Sequence, residues 1–192
     1  MIVNLAAAET AFTSNAFLVD GDRRVVVDTG ANFDVVDAIE SHVDAIDEVV
    51  LTHTHPDHVG ALSDVTDRFD VPVRGFDVTA DGVTDELADG EGIRLGDHDY
   101  VAIHTPGHKD DHLCLYAAEA GILFAGDLVF QNGGFGRTDL PEGDRATLID
   151  SIDRLASTID DSLRELHAGH GPSVTDDPAE HVSLAARMAR RH

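Results

Sequence analysis

The sequence predicts an α/β fold, a layered domain of mixed sheets covered by helices. Short apolar runs closed by Gly, Pro or Asp alternate with stretches of helical spacing, and a hairpin signal near the N-terminus excludes a purely parallel sheet. Ala16–Val19 and Arg23–Val27 are apolar runs on either side of the turn Asp20-Gly21-Asp22. Asn32–Val43 places Val35, Val36, Ile39 and Val43 at helical spacing, with Asn32 as its N-cap. Val49–Thr52 is a strand running into a histidine-rich loop, followed by a helix over Val59–Phe69 and a short strand at Val71–Val73. Tyr100–His104, Leu113–Tyr116 and Ile122–Ala125 are further strands. Asp144–Ile159 is a helix with Leu148, Ile152, Leu155 and Ile159 on one face. Leu163–Leu166 is a strand, and Pro178–Arg190 is a terminal helix with proline in its first turn. No repeat or Pro/Gly/Ser linker divides the chain, so residues 1–192 read as one domain.

At 192 residues the chain is long enough to bury a core without disulfides, and 42% apolar residues exclude global disorder. The charge is unusual: 13 basic against 37 acidic residues give −24, and Lys109 is the single lysine. Nucleic-acid binding needs clustered cations, and no basic cluster here exceeds Arg190–Arg191. An anionic membrane would repel the chain for the same reason. Carboxylate-rich, lysine-poor chains resemble cytosolic proteins of extreme halophiles, where molar salt screens self-repulsion to about 3 Å. A halophilic source is the expectation. The lone Cys114 excludes an internal disulfide and a cysteine-based zinc site, and its apolar strand implies core packing. Met1–Leu5 has no basic leader signature, and no apolar run reaches the ~18 residues needed to span a bilayer, so a cytoplasmic location is expected.

Histidine carries the chemistry. His53-Thr54-His55-Pro56-Asp57-His58 packs three histidines and an aspartate into one short segment. In extended backbone, residues two apart share a face, so His53 and His55 can chelate one metal. Pro56 breaks the strand and turns Asp57 and His58 toward a second. His108 follows Thr105-Pro106-Gly107, Asp127 follows Gly126, and His170 lies between Gly169 and Gly171, each just beyond a strand. In layered α/β sheets the strand ends converge on one rim, so these separate positions predict one polynuclear metal site.

In order and spacing, His53-x-His55-x-Asp57-His58, His108, Asp127 and His170 resemble the metallo-β-lactamase superfamily. The resemblance runs from Asp28-Thr29-Gly30 to Gly169-His170-Gly171 and implies a four-layer αββα sandwich of two mixed sheets. By position, His53, His55 and His108 would hold the first metal, Asp57, His58 and His170 the second, and Asp127 would bridge them. Asp28 would orient a ligand histidine from behind. The implied cofactors are two Zn ions, with Fe or mixed Zn/Fe as alternatives. The electron-transferring diiron branch has a glutamate at the position of His55, which disfavours that branch. Gly136-Arg137-Thr138-Asp139 resembles glyoxalase II-like thioester hydrolases and the related persulfide dioxygenases, and Pro141-Glu142-Gly143-Asp144 resembles the short single-domain members. Its alternative reading is a surface turn capping the following helix.

The expected function is therefore metal-dependent hydrolysis of a small acyl thioester by hydroxide held between two metals, with Asp57 able to accept a proton. Arg137 is expected to orient a substrate carboxylate, and His112 to touch substrate or metal. The alternative is a mononuclear iron, persulfide dioxygenase-like oxidoreductase. A nuclease of the same fold is disfavoured by the missing basic surface. Only 22 residues follow His170, so the C-terminal helical region with which full-length glyoxalase II grips glutathione is absent from this sequence. Lys109-Asp110-Asp111 replaces the small residues usual after the third histidine, leaving open whether the two acids select substrate or only border the cleft. His42, His98, His181 and His192 are expected at the surface, and His104 and His167 in packing or supporting roles. The acyl group, thiol carrier, native metal and oligomeric state stay open.

Overall fold

Val25-Val26-Val27 is a strand buried on both faces, and that double burial decides the architecture. A computed structural model describes residues 1–160 and 162–191. His192 therefore lies outside the described residues. One sheet has the order β1 (Ile2–Asn4), β2 (Phe17–Val19), β3 (Val25–Val27), β4 (Glu48–Val50), β5 (Val73–Gly75), β6 (Asp85–Glu86). Its first three strands are antiparallel and the remainder parallel. The second sheet comprises β7 (Gly92–Leu95), β8 (His98–His104), β9 (Leu113–Ala117), β10 (Ile122–Gly126) and β11 (Glu165–Ala168). It runs in the order β11-β10-β9-β8-β7, with only β10 and β11 parallel.

Alternation along each strand builds three apolar layers. Phe17, Val25 and Val27 meet Leu113, Leu115 and Phe124 between the sheets. Leu18, Val26, Val49 and Leu51 point the other way, under Val35 and Ile39 of α1 (Val35–Glu40) and Leu62 and Val65 of α3 (Leu62–Phe69). Cys114, Leu123 and Leu166 face Leu148, Ile152 and Leu155 of α4 (Arg145–Thr158) and Val182 of α5 (Pro178–Ala189). The result is the expected helix–sheet–sheet–helix sandwich of two mixed sheets. Cys114 packs in the core as expected, and burial pushes its thiol up to about 12, so it stays protonated. Among the described residues no helix is long and apolar enough to cross a membrane.

Several boundaries differ from the sequence expectation. The helix expected over 32–43 shortens to 35–40, because Asp34 rather than Asn32 caps it and accepts the Asp37 N–H at 3.0 Å. Asn32 instead adopts φ 62° and donates its side-chain amide to the Phe12 carbonyl. The helix expected from Val59 is interrupted at Gly60–Ala61, where the Ala61 N–H turns to the Gly30 carbonyl at 3.0 Å. A separate short helix, α2 (Pro56–Val59), precedes the break and carries site residues. Gly60 lets that turn approach closely, since a Cβ there would lie 2.6 Å from the Ala31 Cβ. Strands expected at 71–73 and 163–166 form two residues later, at 73–75 and 165–168, and β1, β6 and β7 were not anticipated.

Candidate metal centre

The centre is built where strands end. β3 runs into Asp28, whose φ of 56° swings its carboxylate behind the loop that follows β4. Asp28 Oδ1 accepts the Thr52 backbone N–H at 2.7 Å, and Oδ2 accepts the Thr52 hydroxyl at 2.7 Å. Oδ2 also lies 2.8 Å from His58 Nδ1, which donates to it and leaves Nε2 facing the centre. The Thr52 hydroxyl, having given its proton to Asp28, accepts from His53 Nδ1 at 3.1 Å and leaves His53 Nε2 free. His108, beyond β8, donates Nδ1–H to the Arg137 carbonyl at 2.8 Å. Gly169, beyond β11, donates its N–H to the Gly126 carbonyl at 2.7 Å, which brings His170 beside Asp127.

Those supports converge three groups of side chains. His53 Nε2 lies 3.1 Å from His55 Nδ1, which is 2.9 Å from His108 Nε2. His170 Nε2 lies 3.1 Å from Asp57 Oδ2, beside the fully buried His58. Asp127 stands between them, with Oδ1 3.4 Å from His58 Nε2 and Oδ2 3.5 Å from both His108 Nε2 and His170 Nε2. Within each of the sets His53/His55/His108, His53/His58/Asp127 and Asp57/His58/His170, one ligand atom per residue lies within 4.8 Å of the others.

The donors fit a pair of cations. His58 Nε2 and Asp127 Oδ1 are buried and have no hydrogen-bond partner among the described residues, a costly arrangement for polar atoms unless something else coordinates them. Burial and the neighbouring imidazoles hold His53 well below the usual histidine range, and burial with His108 lowers His55 to about 4. Both are thus neutral, the form that ligates metal. Burial disfavours a charged His58, but Asp28 and Asp127 outweigh it and raise its value to about 10, so a cation bound at Nε2 would have to displace that proton. Burial raises the Asp127 carboxyl, yet His58, His170 and His108 bring it down to about 2. The His170 hydrogen bond likewise keeps Asp57 low, so both carboxylates are ionised at neutral pH. Imidazole nitrogen with carboxylate oxygen suits zinc or iron.

A family model described as the metallo-beta-lactamase superfamily matches residues 10–170. The chain belongs to the metallo-beta-lactamase superfamily. The hydroxyacylglutathione hydrolase GloC of Haemophilus influenzae is 30% identical over 191 residues, covering 86% of this chain and 89% of its own. The probable metallo-hydrolase YqgX of Bacillus subtilis is 34% identical over 148 residues, covering 66% of this chain and 69% of its own. The structure of TTHA1623 in a di-iron-bound form matches with a TM-score of 0.73 and 30% identity, covering 97% of each chain.

All seven residues singled out in the sequence meet at one rim, with Asp28 behind them. His112 corrects the sequence expectation. It is fully buried, Nδ1 donates to the Thr105 hydroxyl at 2.8 Å, and Nε2 accepts the Asp127 backbone N–H at 2.9 Å. Burial drives it down to about 3, so it stays neutral and positions Asp127 instead of touching substrate. Arg137 also differs, because Asp139 occupies its fork: Nε and Nη2 donate to that carboxylate at 2.7 and 2.6 Å. Its backbone carbonyl, not its guanidinium, makes contact with a ligand histidine.

Asp111 is buried and accepts the Thr54 hydroxyl at 2.5 Å, tying down the loop between His53 and His55, whereas Asp110 is exposed. His167 is buried between Ser173 and Glu165, and His104 stacks on Phe76 at 3.8 Å, both in packing roles. His42, His98 and His181 lie outside the centre, the first two exposed and His181 half-buried, with its Nδ1 accepting the Asn132 N–H. Sequence reasoning missed Asn15, whose side-chain amide donates to the Ala168 and Gly171 carbonyls at 2.8 Å each and so clamps the His170 turn. It missed Phe12, Phe130, Phe135 and Leu140 as well, which line a cleft of about 500 Å3 over His55, Asp57 and His170. No spacing signal marks them, because they come from separate loops.

Proposed function

We propose that this protein is a metal-dependent hydrolase of acyl thioesters, working with two divalent cations, zinc foremost. The observation that carries this reading is Asp127, whose two oxygens lie among two otherwise complete three-residue donor sets. The 30% identity with a hydroxyacylglutathione hydrolase across most of both chains supports the substrate class. Cations held by these residues would polarise an acyl carbonyl and lower the pKa of water towards neutrality.

The chain's own residues do the remaining work. His53, His55 and His108 would hold one cation, and Asp57, His58 and His170 the other. Asp28, Thr52 and the Arg137 carbonyl lock three of those imidazoles into the tautomer that aims a lone pair inward. Asp57 is half-buried, ionised and at the cleft floor, where its carboxylate can take a proton during attack. No Ser or Cys nucleophile is required, and Cys114 is sealed in the core.

Metal content by elemental mass spectrometry, together with thioester hydrolysis, tests this reading in wild type and in His58→Ala. The expected result is about two metal ions per chain in the wild type, about one in the variant, and loss of turnover with the second ion. Retained thioester hydrolysis in His58→Ala sinks the two-metal reading. A single iron per chain with oxygen uptake on a persulfide replaces it with the mononuclear oxidoreductase.

A further inference from the structure

The cleft above the centre has apolar walls and, among its described lining residues, no unpaired side-chain cation, and both features bear on what it accepts. Phe12 comes from the loop before β2 and is 74% exposed. Its ring is stacked on His170, with centroids 5.9 Å apart and planes 22° apart. Phe130 approaches the same imidazole from the other loop at 6.3 Å. Phe135 continues the wall, and Arg145 covers it with the guanidinium 4.1 Å from the ring centre.

The loop bearing Phe12 is tied in place: Asn32 donates to the Phe12 carbonyl at 2.7 Å, and the Ala31 N–H reaches the Thr13 hydroxyl at 2.8 Å. The exposed ring is therefore held against the mouth of the site. Of the residues lining the cleft, Arg137 alone is a permanent cation, and its fork is taken by Asp139. The nearby Lys109 ammonium lies 2.6 Å from Glu142. Apart from the cations of the centre, a substrate carboxylate would meet no unpaired cation among the described lining residues, and the Arg145 guanidinium is held by Phe135 and the Ala189 carbonyl.

The geometry points to an uncharged thioester with an apolar acyl chain as the substrate class, the chain packing against Phe12 and Phe130. This deepens the thioester reading and rests on it for the chemistry, but the cleft assignment has its own test. Alkyl hydroxamates from acetohydroxamate to octanohydroxamate are titrated calorimetrically into the metal-loaded protein in high salt, in wild type and in Phe12→Ala. In parallel, kcat/KM is measured for acetyl- and hexanoyl-N-acetylcysteamine and for S-lactoylglutathione.

Each buried methylene should tighten hydroxamate binding about fourfold in the wild type, with a shallower dependence in Phe12→Ala. The hexanoyl thioester should exceed the acetyl one by at least about tenfold. It should also exceed S-lactoylglutathione. Hydroxamate affinity independent of chain length overturns the inference, as does a higher kcat/KM for S-lactoylglutathione than for the hexanoyl thioester. Chain-length dependence without turnover of any thioester would uphold the apolar cleft and remove the thioester reading instead.

Discussion

Asp28 Oδ2 lies 2.8 Å from His58 Nδ1, and the same carboxylate holds the backbone and hydroxyl of Thr52. One buried aspartate thus sets His58 directly and His53 through the Thr52 hydroxyl, one histidine from each three-residue ligand set. It does so from a left-handed backbone conformation that aspartate tolerates better than most residues.

Asp28→Ala removes both restraints. Metal affinity should fall by about 10–100-fold, the usual cost of losing a buried carboxylate behind ligand imidazoles. Competition with a chelator of known affinity measures it. Wild-type affinity in the variant would show that Asp28 supports the loop only.

Gly169 makes a close approach to Asp127. A Cβ there would lie 2.1 Å from Asp127 Oδ1 and 2.7 Å from His58 Cε1. Gly169→Ala must push the Asp127 carboxylate aside, and a displacement near 1 Å costs about 100-fold in rate. The expected variant keeps its circular dichroism but loses activity and one metal ion. Undiminished activity would mean that Asp127 has slack the geometry does not show.

The net charge of −24 implies strong self-repulsion in dilute buffer. The screening length drops from about 10 Å at 0.1 M salt to about 3 Å at 1 M. Thermal unfolding should shift upward through this range of KCl, and a salt-independent midpoint would contradict the halophilic reading of the composition.

His167 gives stability a pH dependence away from the metals. Burial lowers its pKa, and Glu165 only partly offsets that. With the folded value below the ordinary value of about 6.5, the unfolded chain binds the proton first. The contribution is therefore complete above about pH 6.5 and is lost as the pH falls through the depressed folded value. Urea midpoints between pH 7 and 5 should decline, and His167→Gln should make that decline shallower. An unchanged slope would assign the acid sensitivity to other groups.

Much of the centre was legible in the chain. His53, His55, Asp57 and His58 sit together in sequence, and His108, Asp127 and His170 each follow a strand beside a glycine. His112 misled because four-residue spacing from His108 says nothing of which way a side chain points. Its burial follows from β9 beginning at the next residue and from the Asp127 N–H turning onto it. Asn32 precedes the apolar pattern and so reads as a cap in the sequence, whereas Asp34 lies where its carboxylate reaches the Asp37 N–H.

By itself the sequence determined the layered class and singled out the seven side chains that the structure brings together at one rim, because period and residue chemistry are local properties. It also determined the charge, which is a sum over residues and needs no coordinates. Only the tertiary structure decided that Asp139 pairs the Arg137 fork, that Asn15 clamps the His170 turn across 153 positions of chain, and that Phe12 faces His170. Those relations join loops that share no periodicity, and they exist only once the two sheets have packed and brought the loop ends to one rim.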